Sequence, residues 1–178
     1  YAPLIHGNTT IVFEGKPVGT PDAGTFWRVI SEHKVAAFFT APTAFRAIKR
    51  EDPEGSHVGR YDMSSLRTLF LAGERADPDT IAWAKAQLGV PVIDHWWQTE
   101  TGSRLTGVPV GISGAEPRMG SSGVTMPGYD VRILDEGGHP VGPDTLGAVA
   151  IRVPLPPGTL PTLWNAEDRF RKSYLAHF

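Results

Sequence analysis

The chain has 178 residues, 40% of them hydrophobic, enough to bury a core and to form one domain or one domain with a small appendage. Its 17 basic and 19 acidic residues give a formal net charge of −2 with no basic stripe or polybasic patch, which argues against nucleic-acid and membrane partners. The absence of cysteine excludes disulfides, thiolate metal sites and cysteine nucleophiles, and no apolar run approaches the about 18 residues of a spanning helix.

The chain opens at Tyr1 without an initiator methionine and stops at Phe178 within an amphipathic segment, so a soluble piece of a longer protein is expected. Residues 9–94 alternate short β-branched or aromatic runs with helical periodicity, the pattern of β-α units around a mostly parallel sheet. Strands are predicted at 9–14, 35–40, 66–71 and 90–93, each largely apolar along its length, as strands covered on both faces are. A crossover helix is predicted over 23–33, with Asp22 as its cap and Phe26, Trp27 and Ile30 on its inner face. Pro42 suits the first turn of a second helix that carries Phe45 and Ile48. A surface loop follows over 51–59. A third helix is predicted over Pro78–Leu88, capped by Asp77 and stopped by Gly89, with Ile81, Ala84 and Leu88 as its stripe.

After Gly102 glycine and proline are scattered through residues 108–127. Two strand-like runs, 129–134 and 146–153, then flank Asp135-Glu136-Gly137-Gly138, a hairpin-turn signal. The fold expected is therefore α/β, a mostly parallel sheet with flanking helices followed by a smaller antiparallel β subdomain. Residues 1–119 fall to the first part and 120–178 to the second, with a proline-rich connector over 154–161 and a final helix over 167–178.

No P-loop, dinucleotide fingerprint or serine-hydrolase elbow is present. The histidines at 6, 33, 57, 95, 139 and 177 never stand three or four residues apart, so no helical metal pair exists. The segment Asp94-His95-Trp96-Trp97-Gln98-Thr99-Glu100-Thr101-Gly102 is different. It follows a buried strand, and open α/β sheets bind ligands at the carboxyl ends of their strands. Two tryptophans offer a dry wall, Thr99 can hydrogen-bond a phosphate oxygen, and Glu100 can give a hard oxygen ligand to the Mg2+ that accompanies ATP.

This string closely resembles the aromatic-x-Thr-Glu motif of the adenylate-forming (AMP-binding) superfamily, in the version of the short-chain acyl-CoA synthetases. The resemblance spans nearly the whole chain. It includes Tyr1-Ala2-Pro3-Leu4, Gly7-Asn8-Thr9-Thr10, Phe13-Glu14-Gly15, Thr40-Ala41-Pro42-Thr43-Ala44, Leu71-Ala72-Gly73-Glu74, Gly120-Ser121-Ser122-Gly123 and Pro127-Gly128. It implies that Gly73, Glu74 and Arg75 lie along the adenine, and that Asp94, His95, Trp96, Trp97, Gln98 and Thr99 run past adenine and phosphates. Glu100 would meet Mg2+, Thr99 and Glu100 being the catalytic pair, while Ala41 would touch coenzyme A and Trp97 would close the acyl pocket. Arg75 departs from the acetate type, whose triplet ends in proline, and Ala72 stands where the acetate enzymes carry valine. Both point to the propionyl-CoA synthetases and to propionate over acetate.

The reaction so implied joins a carboxylate, ATP and coenzyme A into acyl-CoA, AMP and pyrophosphate, with small-molecule substrates, no nucleic acid and no membrane as partners, and the oligomeric state left open. The compartment implied is the cytoplasm, or the mitochondrial matrix in a eukaryote. The family's phosphate loop, its ribose-binding aspartate and its C-terminal lysine domain fall outside these residues, so the 178 residues alone are expected to fold without catalysing. Three other readings stay open: an adenylation enzyme that loads a carrier protein, a non-catalytic nucleotide-binding module, and a structural α/β domain.

Overall fold

A computed structural model describes residues 2–176; Tyr1 and the last two positions of the predicted final helix lie outside the described residues. A four-residue helical turn, α1 (Ala2–Ile5), precedes the main α/β unit. Its helices are α2 (Thr25–His33), α3 (Pro42–Glu51) and α4 (Pro78–Leu88), and its strands are β1 (Ala37–Thr40), β2 (Thr68–Leu71) and β3 (Val92–Asp94). The strands are parallel in the order β1-β2-β3, and Thr40, Leu71 and Asp94 stand in register at their carboxyl ends. Trp27, Ile30, Phe45, Ile48, Ile81 and Ala84 from the helices form one core with Leu69 and Leu71 of β2.

Because side chains alternate along a strand, the helices that cover Leu69 and Leu71 leave Phe39 and Phe70 on the other face. Phe39 is 56% exposed. Only β3 is buried throughout, so the expectation of strands covered on both faces holds for one of the three. The predicted strand over 9–14 is not formed. Those residues run as irregular chain, Val12 is 89% exposed, and no strand among the described residues offers them a ladder. Apolar, β-branched composition does not make a strand without a partner for its N–H and C=O groups. Phe13 alone turns inward, meeting Phe26 edge-on at 5.5 Å between ring centres.

The helix starts show how local chemistry sets the boundaries. Asp22 does not cap α2; its Oδ1 accepts the Gly24 N–H at 2.8 Å and its carbonyl accepts the Thr25 hydroxyl at 2.9 Å, which builds the turn leading into the helix. Asp77 does cap α4, its Oδ1 accepting the Thr80 N–H at 2.8 Å, and Pro78 and Gly89 bound the helix as predicted. Asp77→Ala is expected to cost about 1 kcal/mol of stability. Denaturant unfolding checks this value, which a midpoint equal to that of the parent would contradict.

The chain then leaves β3 into an antiparallel sheet that the sequence did not predict. Trp96–Trp97 (β4) pairs with Arg104–Gly107 (β5), and β5 pairs with Val124–Thr125 (β6); the short helix α5 (Val110–Ser113) lies between β5 and β6. The predicted hairpin is present as β7 (Val131–Leu134) against β8 (Ala148–Ile151). Its Asp135–Gly138 turn forms through Asp135 Oδ1, which accepts the N–H groups of Gly137 and His139. The turn leads into a Leu134–Pro140 bridge, and β8 joins β7 only after a further loop. Gly147 ends that loop against the Leu134 carbonyl, where any Cβ would collide. The final helix, α6, spans Glu167–Tyr174 with no buried residue. Among the described residues no helix is long and apolar enough to cross a membrane.

Candidate functional site

The in-register strand ends bring three separate stretches together. The Ala72 N–H donates to the Thr40 carbonyl at 3.3 Å and the His95 N–H to the Leu71 carbonyl at 3.1 Å. Ala41, Ala72 and His95 therefore follow one another across the carboxyl edge of the sheet, where open α/β sheets bind ligands. Ala72 is 4% exposed, so a larger side chain there has to take space from its neighbours. Gly73, Glu74 and Arg75 form the exposed turn beyond it.

Asp94 ends β3 almost wholly buried. Burial pushes its carboxyl above the usual aspartate range, opposed by the N–H groups of Ala76 and His95 and by the charge of Arg75. His95 lies against Phe39 and Phe70, with ring centres at 5.7 and 5.9 Å. Burial holds its imidazole below the ordinary histidine range, and Arg104 adds to that. Burial of this kind favours the uncharged imidazole.

Trp96 is half-buried opposite Thr106, while Trp97, opposite Arg104 across an irregularity in the ladder, is 41% exposed. Gln98 begins a 3-10 turn over Thr99–Thr101. Thr101 holds this turn from within: its hydroxyl accepts the Gln98 N–H at 3.1 Å and shares its one proton between the carbonyls of Gln98 and Ser103, each 2.8 Å away. Thr101 is buried, so its hydroxyl is spent on structure, whereas Thr99 is exposed.

Distant parts of the chain fasten the turn from outside. The Glu100 carbonyl accepts the Leu160 N–H at 2.7 Å, and the Thr101 carbonyl accepts the Tyr129 hydroxyl at 2.8 Å. Gly102 has φ +63 and lies so close to the Gly158 carbonyl that a Cβ would overlap it. The Tyr174 hydroxyl donates to Glu100 Oε1 at 3.1 Å, which raises the phenol above its ordinary range. Tyr129, Leu160 and Tyr174 were missed in the sequence, which carries no local signal for contacts made across such separations.

Among the described residues no three His, Asp or Glu side chains converge to cage a metal. Glu100 stands as a single carboxylate, a donor set that fits Mg2+ held by one protein oxygen with substrate phosphates and waters.

A family model described as AMP-binding enzyme matches residues 1–159. Human acyl-CoA synthetase short-chain family member 3, mitochondrial, is 49% identical over 179 aligned residues, covering 100% of this chain and 26% of that protein. The propionate–CoA ligase of Escherichia coli K12 is 41% identical, covering 100% of this chain and 28% of that protein. The chain thus spans little more than a quarter of the length of these curated relatives. A crystal structure of the anthranilate CoA ligase AuaEII in complex with anthranoyl-AMP superimposes with a TM-score of 0.76 at 25% identity, covering 96% of this chain and 30% of that one. With the family model covering well over half of it, the chain belongs to the AMP-binding enzyme family.

Proposed function

We propose that the chain is the central part of an ATP-dependent short-chain acyl-CoA ligase that favours propionate. The observation that carries this reading is the meeting of buried Ala72, the 73–75 turn and the Asp94–Glu100 segment at one edge of the parallel sheet. The relatives support the class of reaction: one is named a short-chain acyl-CoA synthetase, another a propionate–CoA ligase, and the solved one holds an acyl-adenylate.

In this reaction a carboxylate oxygen of the acid attacks the α-phosphorus of ATP and the bond to the β-phosphate oxygen breaks, releasing pyrophosphate. The thiol of coenzyme A then attacks the acyl carbon and AMP leaves. The chain's part is to position the reactants and neutralise charge. Gly73, Glu74 and Arg75 lie along the adenine, and Asp94, His95, Trp96, Trp97, Gln98 and Thr99 along adenine and phosphates. Thr99 gives the phosphates a hydroxyl, Ala41 meets coenzyme A, and Ala72 and Trp97 shape the acyl pocket. Glu100 is the residue that would hold Mg2+, which when bound offsets phosphate charge.

The division of the chain near residue 120 is likewise proposed. The β7–β8 hairpin that follows it supports a separate β unit, and the β5–β6 pairing joins the two parts. The mitochondrial designation of the human relative supports a matrix location in a eukaryotic source, and the cytoplasm is proposed otherwise.

Carboxylate-dependent ATP–pyrophosphate exchange by a full-length polypeptide that carries this chain is the test. Exchange is expected to be strongest with propionate, weaker with acetate and butyrate, and negligible with a long-chain acid. Tight AMP binding by a folded protein with no exchange on any acid would overturn the ligase reading in favour of a non-catalytic nucleotide-binding module.

A further inference from the structure

Arg46 sits where the start of α3, the turn after β2 and the cap of α4 meet. Its Nη2 lies 2.7 Å from Glu74 Oε1 and its Nη1 3.3 Å from Asp77 Oδ2. Glu74 Oε1 also accepts the Thr43 N–H at 2.7 Å. That last bond fills a local deficit. The residue before α3 is Ala41, which has no side-chain acceptor, and a helix start leaves its first N–H groups without partners. Glu74 supplies the acceptor from 31 residues further along the chain. Burial works to raise its carboxyl, but Arg46 and Thr43 outweigh it and hold the group below the usual glutamate range.

The Glu74 carboxylate is therefore committed to α3, and what the 73–75 turn can present to a ligand is its backbone and its open side. At Gly73 nothing lies within 4 Å of where a Cβ would stand, so a flat ring can approach there. The position of that backbone depends on where the Glu74 side chain is anchored, and the anchor is Arg46. A planar guanidinium can reach two carboxylates at once, which the single ammonium of lysine does not reproduce.

We propose that Arg46 is a positioning residue for the nucleotide: by tying both Glu74 and Asp77, the cap of α4, to α3, it fixes the turn on which the adenine lies. The proposal rests on the nucleotide-binding reading given above, and it places Arg46 away from the reacting atoms. Half-exposed ion pairs add little to global stability, so the effect falls on nucleotide affinity and much less on folding.

The experiment uses the full-length ligase with Arg46→Gln, Arg46→Lys, Glu74→Gln and the Arg46→Gln/Glu74→Gln double variant. It measures AMP binding by calorimetry, ATP KM and kcat in pyrophosphate exchange, and the thermal midpoint. Arg46→Gln is expected to weaken AMP binding and raise the ATP KM about tenfold, about 1.4 kcal/mol of binding free energy, while kcat and the propionate KM hold within about threefold. Arg46→Lys recovers part of the loss. The double variant is no weaker than the worse single one, because both changes remove the same contact. Unchanged AMP affinity in Arg46→Gln, or losses that add in the double variant, would overturn the proposal. If Arg46→Gln does not fold, Arg46→Lys and Glu74→Gln decide, and parental AMP affinity in both counts against it. A parent protein that binds AMP but exchanges with no acid sinks the ligase reading alone, since the calorimetric comparison still tests Arg46.

Discussion

Under the proposed ligase function, replacing Glu100 with glutamine in a full-length polypeptide carrying this chain is expected to lower kcat for propionate-dependent exchange by about a hundredfold or more, the scale of losing one preorganised charge-stabilising group. The turn that carries Glu100 is held at several points that the substitution leaves alone. Thr101 binds it from within, the Leu160 N–H holds the Glu100 carbonyl at 2.7 Å, and Tyr129 holds the next carbonyl. Glutamine keeps an oxygen to accept the Tyr174 hydroxyl, which stands 3.1 Å from Glu100 Oε1 in the parent. What is lost is therefore the negative charge. Parental AMP affinity with a collapsed kcat marks that loss, and excess Mg2+ does not restore the rate. Tyr174→Phe is the companion variant, because it leaves the charge in place and removes only the hydrogen bond. It should cost about tenfold or less, the net worth of one hydrogen bond. A Glu100→Gln enzyme within threefold of the parent would show that this carboxylate has no part in the chemistry.

The parts of the fold that were legible in the sequence are those governed by neighbours in the chain. Helix α4 was bounded correctly because Asp77, Pro78 and Gly89 act within one turn of its ends. The three parallel strands were located from their apolar runs, although the ladder begins about two residues later than composition suggests for each of them. The failures share a cause. Residues 9–14 have strand composition, but forming a strand needs a partner, and composition does not report one. The β4–β5–β6 sheet escaped notice because β4 and β6 are two residues long, too short to show an alternating pattern.

The same division runs through the candidate site. The Asp94–Gly102 string is contiguous and could be recognised as a whole, as could the turn at Gly73–Arg75. How Glu74 spends its carboxylate could not, since Thr43 and Arg46 are reached only after the chain has folded β1 and β2 side by side. The Tyr174–Glu100 contact joins residues 74 apart, and neither has a neighbour in sequence that hints at the other.

The second large effect expected is on choice of acid. Ala72 is 4% exposed and its backbone is tied to Thr40, so the two methyl groups added by Ala72→Val enter space lined by the strand ends. If that space receives the acyl chain, the substitution removes room for about one carbon. A methylene in an apolar pocket is worth about 1–3 kcal/mol, so the propionate-to-acetate ratio of kcat/KM should fall about 10- to 200-fold. Trp97→Gly acts in the opposite sense. Trp97 pairs with Arg104 through its backbone and exposes much of its ring, so its loss leaves the ladder bonds in place while removing a wall. Activity on longer acids should rise while activity on propionate falls, because a short acid then leaves part of its pocket unfilled. Both results would place the acyl group between Ala72 and Trp97. If Ala72→Val leaves the ratio unchanged while exchange with propionate persists, the ligase reading stands and the pocket has to be sought elsewhere along the sheet edge. If Trp97→Gly also gains nothing on longer acids, Trp97 loses its place as the wall that limits chain length.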